Sequence, residues 1–245
     1  MSNYRQDKRI NASLLKLFTG KDFSPTMALH KMRNPTPPSP AMQLGTAMHS
    51  WLENLGEFGP SVLVSPYENY RTKEAQLWRD SNADKVILTA DDVAKVEEMG
   101  TNVINSPLRK MIIDIDAQRE VEYYDNEYKA LLDVVYMSSC IDYKTTACTS
   151  AEQFKRDVYK FSYALQAYHY LRVAKLEHFY FIGVSTVEPY EVFTMYCTTD
   201  FLKYGQKCWQ EALDRYKYFT VNAPKQVILD LDAPLWAAIE DEDDF

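Results

Sequence analysis

Charged residues set inside apolar β-type segments constrain this chain more than any other feature. Tyr128–Asp133 is an apolar run that closes on a carboxylate, and Val134-Val135 continue beyond it. Asp142 follows Asp133 by nine residues, in the segment Ser139-Cys140-Ile141-Asp142-Tyr143-Lys144-Thr145-Thr146, which carries this acid and a lysine two positions apart. In a strand, residues two apart project from one face, so Asp142 and Lys144 must point together. Burying a carboxylate or an ammonium without a partner is costly, so these groups need one another or a bound ion. A divalent cation shared by Asp133 and Asp142, beside Lys144, meets that need. Two acids, an ion and a resident ammonium are the equipment for hydrolysing a phosphodiester.

The flanking pattern predicts a mixed α/β chain. Asn11 or Ser13 caps a short helix through Leu14, Leu15, Leu17 and Phe18, and the proline-rich stretch 34–40 is a stiff linker. Met42, Ala47 or Met48, Trp51 and Leu52 recur at helical spacing. Ser61–Ser65 reads as a strand and Thr72–Asp80 as a helix. Thr89-Ala-Asp-Asp92 resembles a capping box opening a helix with Val93, Val96, Val103 and Ile104 inward, stopped near Pro107. Three β segments follow at 118–124, 128–136 and 138–145, the first two joined by a turn at 125–127. Ser150-Ala-Glu-Gln153 reads as a second capping box, starting one long helix to about Ala174 that offers Phe154, Val158, Phe161, Leu165, Tyr168 and Leu171 for packing. Strands at 178–186 and 190–197 form a hairpin around Glu188-Pro189, and a last helix spans 199–218. This order implies a central mixed β-sheet flanked by helices. We expect one domain over 1–229, with a helical N-terminal part (1–110) and a catalytic core (111–220), followed by an acidic tail (230–245).

An isolated D-x-K says little. Here small residues lead into it and a capped helix follows it. Glu120 and Glu122 lie two apart on the preceding strand, and Glu120 is the choice for a site role, although either fits a solvated outer face. His49 stands on the predicted helix 42–52, where a lone histidine is more often a satisfied core or surface residue than a ligand. Glu53, one turn on, is placed to orient its imidazole or to stand as an exposed charge. Gln166 and Tyr170 lie one helical turn apart, an amide for a phosphate or backbone and a phenol to stack or donate. His169 projects elsewhere and is not expected to be a ligand.

Bulk properties narrow the setting. No run approaches the roughly 18 apolar residues of a membrane helix, and the first residues lack a signal-peptide core, so a cytoplasmic location is expected. The four cysteines (140, 148, 197, 208) form no CxxC pair, and neither a zinc ribbon nor an iron–sulfur cluster is expected. The net charge of −8 looks unfavourable for nucleic acid, yet seven acids fall within 230–245 with no Lys or Arg among them. The remainder is thus nearly neutral, and local basic groups such as Arg71, Lys73, Arg79 or Lys155, Arg156, Lys160 can still meet phosphates. The tail ends in Ile239-Glu-Asp-Glu-Asp-Asp-Phe245, similar to the tip of bacterial single-stranded-DNA-binding proteins. It suits docking on a partner, competition with DNA, or simple solubilisation.

In combination these residues resemble the PD-(D/E)XK nuclease superfamily and, within it, the RecE (exonuclease VIII)-like exonucleases. The resemblance runs over most of the chain. It rests on Asn11–Lys16 with Ser24-Pro25, Leu44-Gly-Thr-Ala-Met-His49, Tyr70-Arg-Thr-Lys73, Asp133, Ile141–Thr146, Gln166-x-x-x-Tyr170, Phe179–Gly183 and Glu188-Pro-Tyr190. The resemblance implies a PD-(D/E)XK core in which His49, Asp133, Asp142 and the Tyr143 carbonyl bind Mg²⁺, with Mn²⁺ able to substitute. Lys144 would be the catalytic lysine, acting with Asp133 and Asp142; Glu120, Gln166 and Tyr170 would support the site, and Arg71 and Lys73 would contact substrate. The chain departs from the family before Asp133, where Leu131-Leu132 replace a basic lead-in and Lys129 is the nearest cation. By the same resemblance the expected activity is 5′→3′ degradation of double-stranded DNA from its ends, leaving 3′ overhangs. The expected partners are duplex ends, a single-strand annealing protein and further copies of the chain in a ring. Alternatives are a RecB-type or CRISPR-adaptation-like nuclease and an inactive DNA-binding module; the latter usually lacks an acid or the lysine.

Overall fold

The computed structural model describes residues 4–222 and 224. The acidic segment 230–245 lies outside the described residues. Three helices open the chain, α1 (Ala12–Lys16), α2 (Pro25–Arg33) and α3 (Pro40–Glu53). Asn11, Ser24 and Ser39 cap them by accepting the Leu14, Met27 and Met42 N–H groups. Proline at the first position of α2 and α3 costs nothing, since that N–H has no helical acceptor. The linker ahead of α3 therefore also starts it. Ala47, Met48, Trp51 and Leu52 are buried, while Met42, in the first turn, is exposed.

The next segments are β1 (Val62–Val64), α4 (Lys73–Ser81), β2 (Val86–Leu88), α5 (Ala90–Ile104) and α6 (Arg109–Ile113). The short strands β1 and β2 pair in parallel as a separate small sheet. Thr89 and Asp92 close the expected capping box on α5. The main sheet has five strands, β3 (Gln118–Tyr124), β4 (Lys129–Tyr136), β5 (Ser139–Thr146), β6 (His178–Ser185) and β7 (Val192–Tyr196), in that spatial order. All neighbours are antiparallel except β5 and β6, which are parallel and require a crossover.

That crossover is not one long helix. It is α7 (Ala151–Lys160) followed by α8 (Tyr163–Ala174), broken where Ser162 takes φ 54°, in the left-handed region. A straight helix over 151–174 would be about 36 Å long. The return along an eight-residue strand needs only about 27 Å, so a single rod overshoots. The second capping box is also incomplete. Ser150 accepts the Gln153 N–H, but Gln153 reaches back to the Thr149 N–H instead. Phe161, at the break, is exposed rather than packed. The chain then ends its described part in α9 (Thr199–Val221), which lies close against α8: a Cβ on Gly205 would sit 2.2 Å from the Ala164 carbonyl oxygen.

Helices cover both faces of the sheet. Ala130, Leu132, Cys140, Phe179, Phe181 and Phe193 pack with α1, α8 and α9, whereas Val134, Ile141, Tyr143, Ile182 and Val184 pack with α3, α5 and α6. Along β5 the alternation places Cys140 toward α8 and its neighbours Ile141 and Tyr143 toward α3. Along β4 it changes at Asp133, because Leu132 and Val134 belong to opposite cores. This irregularity lies where the charged groups gather.

His169 on α8 is fully buried in the first core. Trp209 donates its indole N–H to Nδ1 at 3.0 Å, which leaves Nε2 to donate to the Lys129 carbonyl at 2.9 Å. Burial pushes its pKa down to about 4, with Arg172 adding to the shift and the Lys129 carbonyl opposing it. Between about 6.5 and 4 the unfolded chain therefore takes up a proton that the folded one refuses. Stability is complete above that window and falls as pH drops through it, by roughly 2–3 kcal/mol at pH 4.5. Urea unfolding at pH 7.5 and 4.5 is expected to show this loss, and His169→Gln to show a smaller one. Equal losses in both proteins would contradict the assignment.

Candidate metal and catalytic centre

The backbone makes the centre by letting two strands part. The β4–β5 ladder stops at Val134↔Ile141, while β5 stays paired with β6 as far as Thr146. Beyond the ladder the Tyr143 N–H has no β4 carbonyl to meet, and it donates instead to Asp133 Oδ2 at 2.7 Å. On the other side of β4, Arg119↔Val134 and Val121↔Leu132 leave Glu120 opposite Asp133. Glu120 has φ 49°, a left-handed conformation that costs a non-glycine residue about 1–3 kcal/mol. That twist separates it from Glu122, which accepts the Tyr124 hydroxyl at 2.6 Å.

His49 on α3 closes the group. Its Nδ1 lies 3.3 Å from Asp133 Oδ1, and its Nε2 lies 3.1 Å from the Tyr143 carbonyl. Both neighbours are acceptors, an arrangement that favours a proton on each ring nitrogen. Donor atoms of His49, Glu120 and Asp133 all fall within 4.8 Å of one another. Asp142, on β5, points toward α8: Oδ1 accepts the Gln166 amide N–H at 2.6 Å and Oδ2 contacts the Lys144 ammonium. Lys144 also donates to the Tyr143 carbonyl at 3.3 Å, which joins the two halves of the cluster.

The electrostatics follow from this packing. Burial disfavours the charge on His49, but Asp133 more than offsets it and raises the pKa, with Lys144 opposing. Burial likewise disfavours the Asp133 carboxylate, yet His49, Lys144 and the Tyr143 N–H together hold it below the usual range. For Asp142 burial prevails and the pKa rises, assisted by Asp133 and resisted by Lys144. Burial lowers Lys144, and Asp142 and Asp133 overcome it to give a net rise. Glu120 is pushed up to about 7 by burial and by Asp133, against His49 and Arg5.

The residues singled out in the sequence are thus divided. His49, Glu120 and Asp133 come together beside the Tyr143 peptide, whereas Asp142, expected to share the ion with Asp133, lies outside that donor group and pairs with Lys144 and Gln166 on the α8 side. Gln166 is buried and bonded to Asp142, so its amide is spent inside the protein; Tyr170, one turn on, bonds the same amide. Arg71 and Lys73 lie exposed at the start of α4, and none of their described contacts reaches the cluster. Glu53 is exposed at the rim; Asp133 and the Tyr143 carbonyl orient the imidazole in its place. Lys129 is buried, its ammonium donating to the Tyr4 and Asp7 carbonyls. Two residues escaped the sequence reading. Lys16 donates to Gln166 Oε1 at 2.6 Å, and Tyr163 presents its ring to both the Lys16 and Lys144 ammoniums, at 4.6 and 5.3 Å. A lysine amid Leu14, Leu15, Leu17 and Phe18 was the available signal for the first.

An imidazole and two carboxylates, with a backbone carbonyl beside them, suit an oxygen-preferring divalent ion. The four cysteines contribute nothing to this donor set; Cys140 and Cys197 are buried in the α8–α9 core. Among the described residues no helix is long and apolar enough to cross a membrane.

Comparison with known proteins agrees with this architecture. No curated protein matches the chain. A solved structure from Eubacterium rectale, named "Putative exonuclease", superposes with a TM-score of 0.65 over 95% of this chain and 93% of its own, at 14% identity. That likeness establishes the fold. A phage-related exonuclease from Haemophilus somnus 129PT overlaps more loosely, with a TM-score of 0.38 at 10% identity over 87% of this chain and 96% of its own. The family profile of the PDDEXK-like domain of unknown function (DUF3799) matches residues 11–225, and with its five-stranded mixed sheet between helices the chain belongs to that PDDEXK-like family.

Proposed function

We propose that this protein is a divalent-cation-dependent exonuclease that hydrolyses phosphodiester bonds of double-stranded DNA from its ends. The observation that carries this reading is the meeting of Asp133 and Lys144 on the Tyr143 peptide, with His49 and Glu120 against Asp133 and Asp142 against Lys144. His49, Glu120 and Asp133 would hold the cation, Mg²⁺ or Mn²⁺, with Asp142 and the Tyr143 carbonyl at its border. When bound, the ion supplies a Lewis acid for the phosphoryl oxygens and acidifies water. Lys144, held by Asp142, orients the attacking water and offsets negative charge as it develops on the phosphorus. Gln166 keeps Asp142 in place. Burial and the Asp133 charge push the Glu120 carboxyl up to about 7, so cation binding would be accompanied by loss of its proton.

The finer reading follows the RecE-like resemblance: 5′→3′ resection that leaves 3′ overhangs for a single-strand annealing partner, by copies of the chain closed in a ring. An inactive DNA-binding module is disfavoured because both acids and the lysine are present and engaged. An iron–sulfur nuclease is disfavoured by the burial of Cys140 and Cys197 in the core.

Linear duplexes labelled at either 5′ or 3′ ends, together with a closed circle, test all of this with Mg²⁺ and with EDTA. Linear DNA is expected to lose 5′ label first and only with the cation, and the circle to survive. Early loss of 3′ label would reverse the polarity, a cut circle would exclude end dependence, and cleavage in EDTA would refute the cation requirement.

A further inference from the structure

We propose that Lys16, brought from the N-terminal helix, is a positioning residue that fixes the Gln166 amide so that its N–H end faces Asp142. This rests on the nuclease reading above. A glutamine amide has an acceptor end and a donor end, and turning it over exchanges them. Asp142 needs the donor end, because two oxygens facing one another would repel. Lys16 Nζ donates to Gln166 Oε1 at 2.6 Å, and Gln166 Nε2 donates to Asp142 Oδ1 at 2.6 Å. In its ammonium form Lys16 has no acceptor, so its presence on Oε1 then permits only the productive orientation. The aspartate that holds Lys144 is therefore itself held by a relay beginning 126 residues earlier in the chain.

The surroundings favour a specific role over general packing. Lys16 sits in a helix of five residues whose Ala12, Leu14 and Leu15 pack into the apolar core. Its amine lies over the Tyr163 ring, which it shares with Lys144. Keeping two ammoniums so close is unfavourable: burial and the Lys144 charge push the Lys16 pKa down to about 7, and Asp142 recovers only part of the shift. An amine buried at such cost is held by a specific contact, its hydrogen bond to Gln166 Oε1.

The test is a double-mutant cycle on the full chain with Lys16→Met, Gln166→Leu and the pair, and Lys16→Arg as the conservative variant. Lys16→Met is expected to lower kcat about 10- to 100-fold, the range for residues that orient a ligating or catalytic group, with KM for DNA changed less than about threefold. Lys16→Arg is expected to recover most of the rate. Gln166→Leu should cost a similar factor, and adding Lys16→Met to it should cost nothing further, because Lys16 acts through the amide. Losses that multiply, or a Lys16→Met rate equal to wild type, would overturn the proposal. Urea unfolding of the wild type, the two single variants Lys16→Met and Gln166→Leu, and the pair reads the contact without turnover. Non-additive midpoints are expected, and additive ones would overturn the relay. A wild-type protein inert toward every DNA and cation would instead defeat the nuclease reading, and the role assigned to Lys16 with it.

Discussion

Lys144→Ala is expected to lower DNA cleavage at least 100- to 1,000-fold, the loss seen when one preorganised donor to a transition state is removed. The rest of the protein should survive the change. Breaking a buried ion pair by removing one partner costs about 3–5 kcal/mol when the other charge is left alone. Asp142 is not left alone, since Gln166 still donates to Oδ1 and its pKa already lies above the ordinary carboxylate value. It can take up a proton and remain bonded. The cost should therefore lie near the low end, about 3 kcal/mol, within the 5–15 kcal/mol that a domain of this kind commands. Cooperative unfolding at a lower midpoint, DNA affinity within a few-fold, and cleavage near background are the expected combination. Wild-type cleavage by this variant would remove Lys144 from the chemistry.

Asp133→Asn separates shape from charge. Asparagine can still accept the Tyr143 N–H through its oxygen, so the parting of β4 and β5 is preserved. The negative charge that pairs with His49 and completes the cation group is gone. Mn²⁺ affinity should fall by at least about 100-fold, the upper range for disturbing residues that only support a ligand. Cleavage should fall with it. In the wild type, the imidazolium beside Asp133 must lose its proton before the nitrogen can bind an ion, so cation affinity should rise with pH across the range where His49 titrates. Without Asp133 the largest influence raising that pKa is lost, and the rise should move to lower pH. Calorimetric titration with Mn²⁺ at pH 6, 7 and 8 reads both effects. Unchanged affinity in Asp133→Asn would mean that the ion sits elsewhere.

Much of the architecture was legible because it is local. The strands at 118–124, 129–136 and 139–146 were bounded to within a residue by their turns and their β-branched and aromatic content. Asp142 and Lys144 share a face for no reason beyond the period of two. The features that escaped are those set by distant contacts or by the backbone alone. Ser162 breaks the crossover in a left-handed conformation without the glycine or asparagine that would have announced it. The strand β2 is three residues long, too short for a periodic signal, whereas its partner β1 was read within 61–65. Glu120 and Glu122 are equivalent by spacing, and only the φ of Glu120 and the change of face at Asp133 bring one of them to His49. Gln166 and Asp142 are paired by a crossover, and Lys16 reaches Gln166 from the N-terminal helix.

The centre stands on one claim, that His49, Glu120 and Asp133 form a divalent-cation site beside Lys144. Crystals soaked in Mn²⁺ and measured at the manganese absorption edge would locate the ion directly. An anomalous peak about 2.1–2.3 Å from the Asp133 carboxylate, with His49 or Glu120 in the same coordination shell, is the expected result. A manganese peak elsewhere on the protein, with none against Asp133, would contradict it.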